Sequence, residues 1–326
     1  MSFGYQDVKD AAGRIGPYLK ETPLEPSFRM GGGNRKYWFK LETFQPVKSF
    51  KVRGALNKML TLTEEEMAKG VSTISSGNHG ISVSYAASLL GIEKSQIIVP
   101  ETAPKSKVER IEYFGGSVLQ MGANYDETHA LGMKHIEEGG MTFIDAYYDD
   151  PLIYAGQGTI AIETLRQNPD IDAIVVPVGG GGLSTGIAVA AKAIDPRIRV
   201  IGVQTEACPA MIRSYEDGVC YEEYPIGETI CDAVVGGIGV LSYAMLKDYC
   251  DDLIEVREES AAKAVAFMAR EEKYIVEPSS ALTVAACMDY PDRIGGTNIA
   301  LVLSGGNIDG DLLTDLLSRY AGVTPA

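Results

Sequence analysis

The sequence is poor in the features that build stapled, metal-held or membrane-spanning proteins. Its five cysteines (Cys208, Cys220, Cys231, Cys250 and Cys287) are odd in number, form no C-x-x-C pair and lie near no histidine at zinc-ligand spacing. A disulfide framework and a zinc site are therefore excluded, and a reduced cytoplasmic setting fits best. The three histidines, His79, His129 and His135, are too few and wrongly spaced for any other metal centre. No apolar run approaches the roughly 18 residues of a spanning helix, and the N-terminal MSFGYQDVKDAAGR has no apolar signal core. Neither membrane insertion nor export is expected. Basic residues are outnumbered, with 29 lysines and arginines against 44 acids and a net charge of −15, so a nucleic-acid backbone would be repelled. No run of five like charges occurs, which spreads the acidity over solvated surface. Also missing are the G-x-G-x-x-G turn, the P-loop lysine and the G-x-S-x-G elbow, which counts against NAD, ATP and triad-hydrolase chemistry.

What is present is a rhythm of short β-branched runs and longer helical ones. From about residue 71 it runs VSTIS, ISVSYAASLLG, QIIVP, KSKVERIEYFG, SVLQMG, YDETHALGMKHIEEG and MTFI. Strands separated by helices call for parallel pairing, because each crossover must return the chain to the same end of the sheet. After Asp150 the rhythm resumes on a larger scale with DPLIYAGQGTIAIETLRQ, AIVVPV, LSTGIAVAAKAI, RVIGVQ, ESAAKAVAFMAREE and NIALVLS. Residues 207–240, rich in glycine, proline, acids and cysteine, are expected to be an irregular excursion. The first 70 residues, with strand-like YWFKLE and the helical KSFKVRGALNKMLTL, are too short to close a sheet and are expected to join the larger unit. The fold class is thus α/β, with a large domain from residues 1–68 and 150–326 and a small one from 69–149. A ligand would enter the cleft at the strand carboxyl ends.

Four strand-to-helix segments carry chemistry. Gly179 to Gly182 in VVPVGGGGLSTG let the backbone approach a ligand, with several N–H groups and a helix N-terminus aimed at it, which makes a phosphate cradle. In ISSGNHGIS, Ser75, Ser76, Gly77, Asn78 and His79 suit a carboxylate, although serine and asparagine are equally the preferred N-caps. Ser304 in LVLSGGNID stands at a strand end before two glycines, either as a turn or as a ligand contact. Lys51, with Lys48 and Phe50, stands at a helix start, where the dipole lowers an amine's pKa and favours a Schiff-base nucleophile. Charge patterning alone would make the two lysines ordinary surface groups.

In their order, SFKVRGA, SSGNHG, the glycine tetrad and SGGN resemble the fold-type II (tryptophan synthase β-like) pyridoxal-phosphate enzymes, specifically the serine/threonine dehydratase and serine racemase family. The resemblance runs through essentially the whole chain and includes APKSKV, YAGQGTIAIE, VIGVQ and VEPSSA. It implies two open parallel-sheet domains with the site between them, pyridoxal 5'-phosphate as cofactor, a small amino-acid substrate and a homodimer. It further implies that Lys51 carries the cofactor as a Schiff base, Phe50 flanks the ring and Asn78 holds the ring hydroxyl. Gly179, Gly180, Gly181, Gly182 and Leu183 would bind the phosphate, Ser304 the ring nitrogen, and Ser75, Ser76, Gly77 and His79 the substrate carboxylate. A serine at that nitrogen cannot keep it protonated, which suits β-elimination from a β-hydroxy amino acid better than transamination.

Three departures from the family pattern bear on the activity. Ser76 stands where many dehydratases have alanine and where racemases and hydroxyaspartate dehydratases have serine, so it is a second acid/base candidate and racemisation an alternative activity. The acidic ligands of a racemase-type metal site would fall at Gln204 and Ala210, with Cys208 between, so no metal is expected. Lys48 and Ile81 stand where a small residue and glutamine are common, a sign of an altered substrate. The chain ends soon after SGGN, which predicts no regulatory domain and no feedback inhibition by isoleucine. A ligand-binding protein without turnover and a cysteine-synthase-like β-replacement enzyme are the remaining readings, the latter weakened by SFKVRG in place of an SVKDR-type lysine motif.

Overall fold

The computed structural model describes residues 3–322. Its strands in chain order are β1 (Leu24–Gly32), β2 (Arg35–Leu41), β3 (Val71–Ile74), β4 (Ser95–Val99) and β5 (Ser117–Gln120). They continue as β6 (Thr142–Phe143), β7 (Ala173–Pro177), β8 (Arg199–Thr205), β9 (Asp252–Val256) and β10 (Asn298–Leu303). Two sheets result, one ordered β1-β2-β10-β7-β8-β9 and the other β5-β4-β3-β6. All pairings are parallel except the antiparallel β1–β2 edge.

The aliphatic runs of β7, β8 and β10 are continuous because both faces of the larger sheet are covered. Alternate residues go to opposite cores. Ala173, Val175, Ile201, Val203, Ile299 and Leu301 enter one, and Ile174, Val176, Val200, Ala300 and Val302 the other. The smaller sheet divides likewise, with Val71, Ile97 and Val99 on one face and Ile74 and Ile98 on the other.

Each sheet has a point where strand order reverses. In the smaller one the chain winds β3, β4, β5 to one side and places β6 on the other, so the segments following β3 and β6 emerge side by side. In the larger one β10 inserts between β2 and β7, which sets the ends of β7 and β10 next to each other. Such switch points open crevices at strand carboxyl ends.

The helix Lys51–Met59 serves both units. Val52, Ala55, Leu56 and Met59 pack with Val71, Ile81 and Val83 of the smaller unit. Its other side lies against the helix Pro151–Gln167: a Cβ on Gly54 would overlap Gln157 Nε2, and one on Gly156 would fall 2.5 Å from Arg53 O. Elements not foreseen from the sequence include the helices Tyr5–Ile15 and Val240–Tyr249 and two edge strands. β1 contains a proline, is exposed at six of its nine positions and buries Met30 alone, and β9 is a half-exposed edge strand. The expected excursion 207–240 holds the short helix Ala210–Asp217, which buries Ala210, Met211 and Ser214.

Candidate active site

Lys51 begins the helix Lys51–Met59, and Phe50 before it donates its backbone N–H to Ser304 O at 3.0 Å, tying the lysine to the end of β10. Lys51 Nζ donates to Ala146 O at 3.1 Å and lies 5.4 Å from the centre of the Phe50 ring and 5.7 Å from that of Tyr147. Burial pulls its pKa from 10.5 down to about 8, against the opposing pull of Asp145 and Glu277. The amine is therefore deprotonated far more readily near neutral pH than an ordinary lysine, which favours its use as a nucleophile and base.

Lys48 is exposed, and its backbone is left-handed with φ 60°. Its carbonyl accepts from Gly306 N at 2.9 Å, so the strained turn seats Ser49 and Phe50 against the SGGN segment.

The glycine loop follows β7, with Gly181 at φ 99° and Gly182 opening the helix Gly182–Ile194. No described residue accepts a hydrogen bond from the N–H groups of Gly179, Gly180 or Gly181. A side chain has no room at Gly180, where a Cβ would overlap the Tyr147 ring, or at Gly181, where it would overlap Ser242. Three unpaired donors at a helix N-terminus, bare of side chains, fit a phosphate.

The turn after β3 places Ser75 to Asn78 at the start of the helix Asn78–Leu90. Gly77 N donates to Ser75 Oγ at 3.3 Å, and no described residue bonds the half-buried Ser76 hydroxyl. His79 is different. Its ring is buried, Nε2 meets Ile144 O at 3.0 Å, and burial with the Lys51 charge pushes its pKa down to about 3. What His79 can offer a carboxylate is thus its backbone N–H. Leu183 is buried in the first turn of the helix after the tetrad, and Ser304 is buried at the end of β10.

Three site groups escaped sequence reasoning. Glu277, buried at the N-cap of the helix Pro278–Asp289, accepts from Asn78 Nδ2 at 2.9 and 3.1 Å, and burial raises its pKa from 4.5 to about 7. Asn307 joins Asn78 to Val47 O. Asp145 accepts from Tyr147 N and Tyr148 N at 2.7 and 2.6 Å, shaping the segment that faces Lys51. Only VEPSSA and SGGN as motifs drew attention to Glu277 and Asn307.

The positions expected for metal ligands are occupied by an uncharged arrangement. Gln204 accepts from Met211 N and Ile212 N, both at 3.0 Å, and donates to Val178 O at 3.3 Å, while Cys208 Sγ accepts from Gly236 N at 3.3 Å. Among the described residues no group of three or more histidine, cysteine or acidic side chains is placed to hold a metal.

Residues 15–305 match the model of the pyridoxal-phosphate dependent enzyme family. The chain is 38% identical over 308 residues to a serine racemase of Arabidopsis thaliana, covering 93% of this chain and 92% of that one. It is 36% identical over 318 residues to an L-threonine ammonia-lyase of Thermotoga maritima, covering 96% of this chain and 78% of that one. The maize serine racemase structure superposes with a TM-score of 0.90 at 33% identity over 98% of both chains. The chain belongs to the pyridoxal-phosphate dependent enzymes, fold type II, and its cofactor is pyridoxal 5'-phosphate. A buried amine with lowered pKa, a bare cradle of N–H groups and an aromatic flank at Phe50 fit that cofactor's aldehyde, phosphate and ring.

Proposed function

We propose that the protein is an ammonia-lyase that converts a β-hydroxy amino acid of the L-threonine and L-serine class to a 2-oxo acid and ammonia. The observation that carries this reading is the Lys51 amine, desolvated to a pKa of about 8 and set between Phe50 and Tyr147 beside the unpaired donors of the glycine loop. In this assignment Gly179 to Gly182 and Leu183 hold the phosphate, Lys51 the aldehyde carbon, Asn78 the ring oxygen and Ser304 the ring nitrogen. Ser75, Ser76, Gly77 and the His79 backbone hold the substrate carboxylate. Pyridoxal phosphate supplies the electron sink that acidifies the substrate's α-C–H bond. Lys51 Nζ would take the α-proton, and the β-hydroxyl would leave with one proton as water, so that the amino acid loses its α-hydrogen and its β-hydroxyl in all. A hydroxyl at Ser304 does not protonate a pyridine nitrogen, so negative charge is best drained by this departure. Hydrolysis of the resulting enamine after tautomerisation returns one water and releases ammonia, giving pyruvate from serine or 2-oxobutanoate from threonine.

A second activity, racemisation, is favoured by the Ser76 hydroxyl, which is half-buried and bonded to no described residue. The test is to supply L-serine, L-threonine and L-threo-3-hydroxyaspartate separately and follow 2-oxo acid and the enantiomer formed. Oxo acid from one of them, absent in Lys51→Ala, is expected. No oxo acid from any would overturn the lyase reading. Ser76→Ala should remove inversion and leave elimination; equal loss of both would contradict the assignment of Ser76 as a second acid/base.

The proposed setting is the cytoplasm, supported by five free cysteines and, among the described residues, no helix long and apolar enough to cross a membrane. The proposed assembly is a homodimer of two-domain subunits, 1–68 with 150–326 and 69–149, checked by sedimentation of the cofactor-loaded protein.

A further inference from the structure

Four side chains form a line of hydrogen bonds that crosses the cleft repeatedly. Arg110, on the helix Lys105–Tyr113 of the smaller unit, donates Nη1–H to Asn307 Oδ1 at 2.6 Å. Asn307, beyond β10 of the larger sheet, donates Nδ2–H to Asn78 Oδ1 at 2.6 Å and to Val47 O at 2.9 Å. Asn78, on the smaller unit, donates Nδ2–H to the Glu277 carboxylate, which belongs to the larger one and also accepts from Asn307 N at 3.2 Å.

The direction of this line is fixed at its ends. A guanidinium can only donate and a backbone carbonyl can only accept. With Arg110 and Val47 O on either side, the Asn307 amide satisfies both in one orientation, since a flip would set NH₂ against the guanidinium and oxygen against a carbonyl. That orientation in turn forces Asn78 to receive at Oδ1 and donate at Nδ2. Arg110 is exposed and has no carboxylate partner among the described residues, and its one side-chain hydrogen bond there is to this amide.

We propose that Arg110, Asn307 and Glu277 are positioning residues that lock the Asn78 carboxamide with its N–H edge toward the cofactor, making it a donor to the ring oxygen in its ionised form. This rests on the assignment of Asn78 to that oxygen. Because consecutive members lie on opposite units, the lock is complete only when the cleft is closed.

The test uses the cofactor-loaded full chain and two readouts besides turnover: the dissociation constant of pyridoxal phosphate and the ratio of its long- to short-wavelength absorption bands at fixed pH. Arg110→Ala, a surface change, should leave the melting temperature within about 2 °C, weaken cofactor binding several-fold and shift the band ratio at least twofold. Arg110→Lys, still a pure donor, should restore much of both. Asn307→Asp separates orientation from mere tethering. It keeps and strengthens the Arg110 contact but removes the donor to Asn78, so the band ratio should shift as in Arg110→Ala. A band ratio and dissociation constant unchanged in both Arg110→Ala and Asn307→Asp would overturn the inference while leaving the proposed function standing. A wild-type protein that develops no cofactor band would overturn the proposed function, and this inference with it.

Discussion

At the scale of single residues, Lys51 and Glu277 are shifted in opposite directions by the same cause, removal from water. Only the neutral amine attacks a carbonyl, so the rate at which apo-protein takes up pyridoxal phosphate should rise with pH and level off above about 8. An inflection at the ordinary lysine value of 10.5 would mean that Lys51 is not desolvated. Both groups also write themselves into stability. A lysine lowered from 10.5 to about 8 contributes stability that is present above 10.5 and lost as pH falls through 8. A carboxyl raised from 4.5 to about 7 contributes stability that is full below 4.5 and lost as pH rises through 7. In apo-protein, Lys51→Met should therefore flatten the pH dependence of the unfolding free energy between about 8 and 10.5, and Glu277→Gln between about 4.5 and 7. Urea titrations at stepped pH check both windows, and slopes left unchanged would contradict the burial of these groups. Lys51 was singled out by its place at a helix start beside Phe50, but its proposed role came from the resemblance of SFKVRGA, and its burial could not be read from the charge pattern. Glu277 was not legible, since its partner Asn78 lies 199 residues away and nothing in the order of residues brings them together.

At the scale of elements, one glycine turn and one buried ion network set the geometry. The glycine tetrad announced itself by composition, and its structural reason is contact: Tyr147 lies where a side chain at Gly180 would be. Gly180→Ala should consequently displace Tyr147 and reduce cofactor affinity tenfold or more at nearly unchanged helix content, measured by fluorescence titration with pyridoxal phosphate. Unchanged affinity would show the loop to be a plain turn. The helix Lys51–Met59 is held from its far side by Arg53, whose guanidinium meets Glu42 at 2.7 and 2.8 Å and Glu163 at 2.6 and 2.8 Å, with Lys40 on Glu163 at 2.7 Å. Residues two apart on a helix point roughly 200° apart, so anchoring Arg53 in the core aims Lys51 toward the cleft. Arg53→Met leaves the buried Glu42 without its guanidinium partner and the part-buried Glu163 with Lys40 alone, and should cost about 3–5 kcal/mol of stability, read as a lower urea midpoint. A cost below about 1 kcal/mol would mean that the network is hydrated. None of this network was visible beforehand, because Lys40, Glu42, Arg53 and Glu163 look in sequence like ordinary surface charges.

At the scale of the whole molecule, the α/β rhythm made both parallel sheets legible, along with the convergence of three strand-end turns on one crevice. Strand order was not legible. The insertion of β10 between β2 and β7, and the return of β6 to the far side of β3, follow from long-range pairing that periodicity does not encode. These two reversals bring SGGN beside the glycine loop and the Asp145–Tyr147 segment beside Ser75–Asn78. The same topology makes the site a joint product of two units, with Lys107 meeting Asp232 at 3.1 Å and Arg110 meeting Asn307 across the cleft. Lys51 is the one amine proposed to carry the cofactor. The most direct measurement is borohydride reduction of the pyridoxal-phosphate-loaded protein followed by peptide mass mapping. A single phosphopyridoxyl group on the peptide containing Lys51 is expected. Attachment to Lys48 or another lysine, or no stable adduct at all, would contradict this assignment.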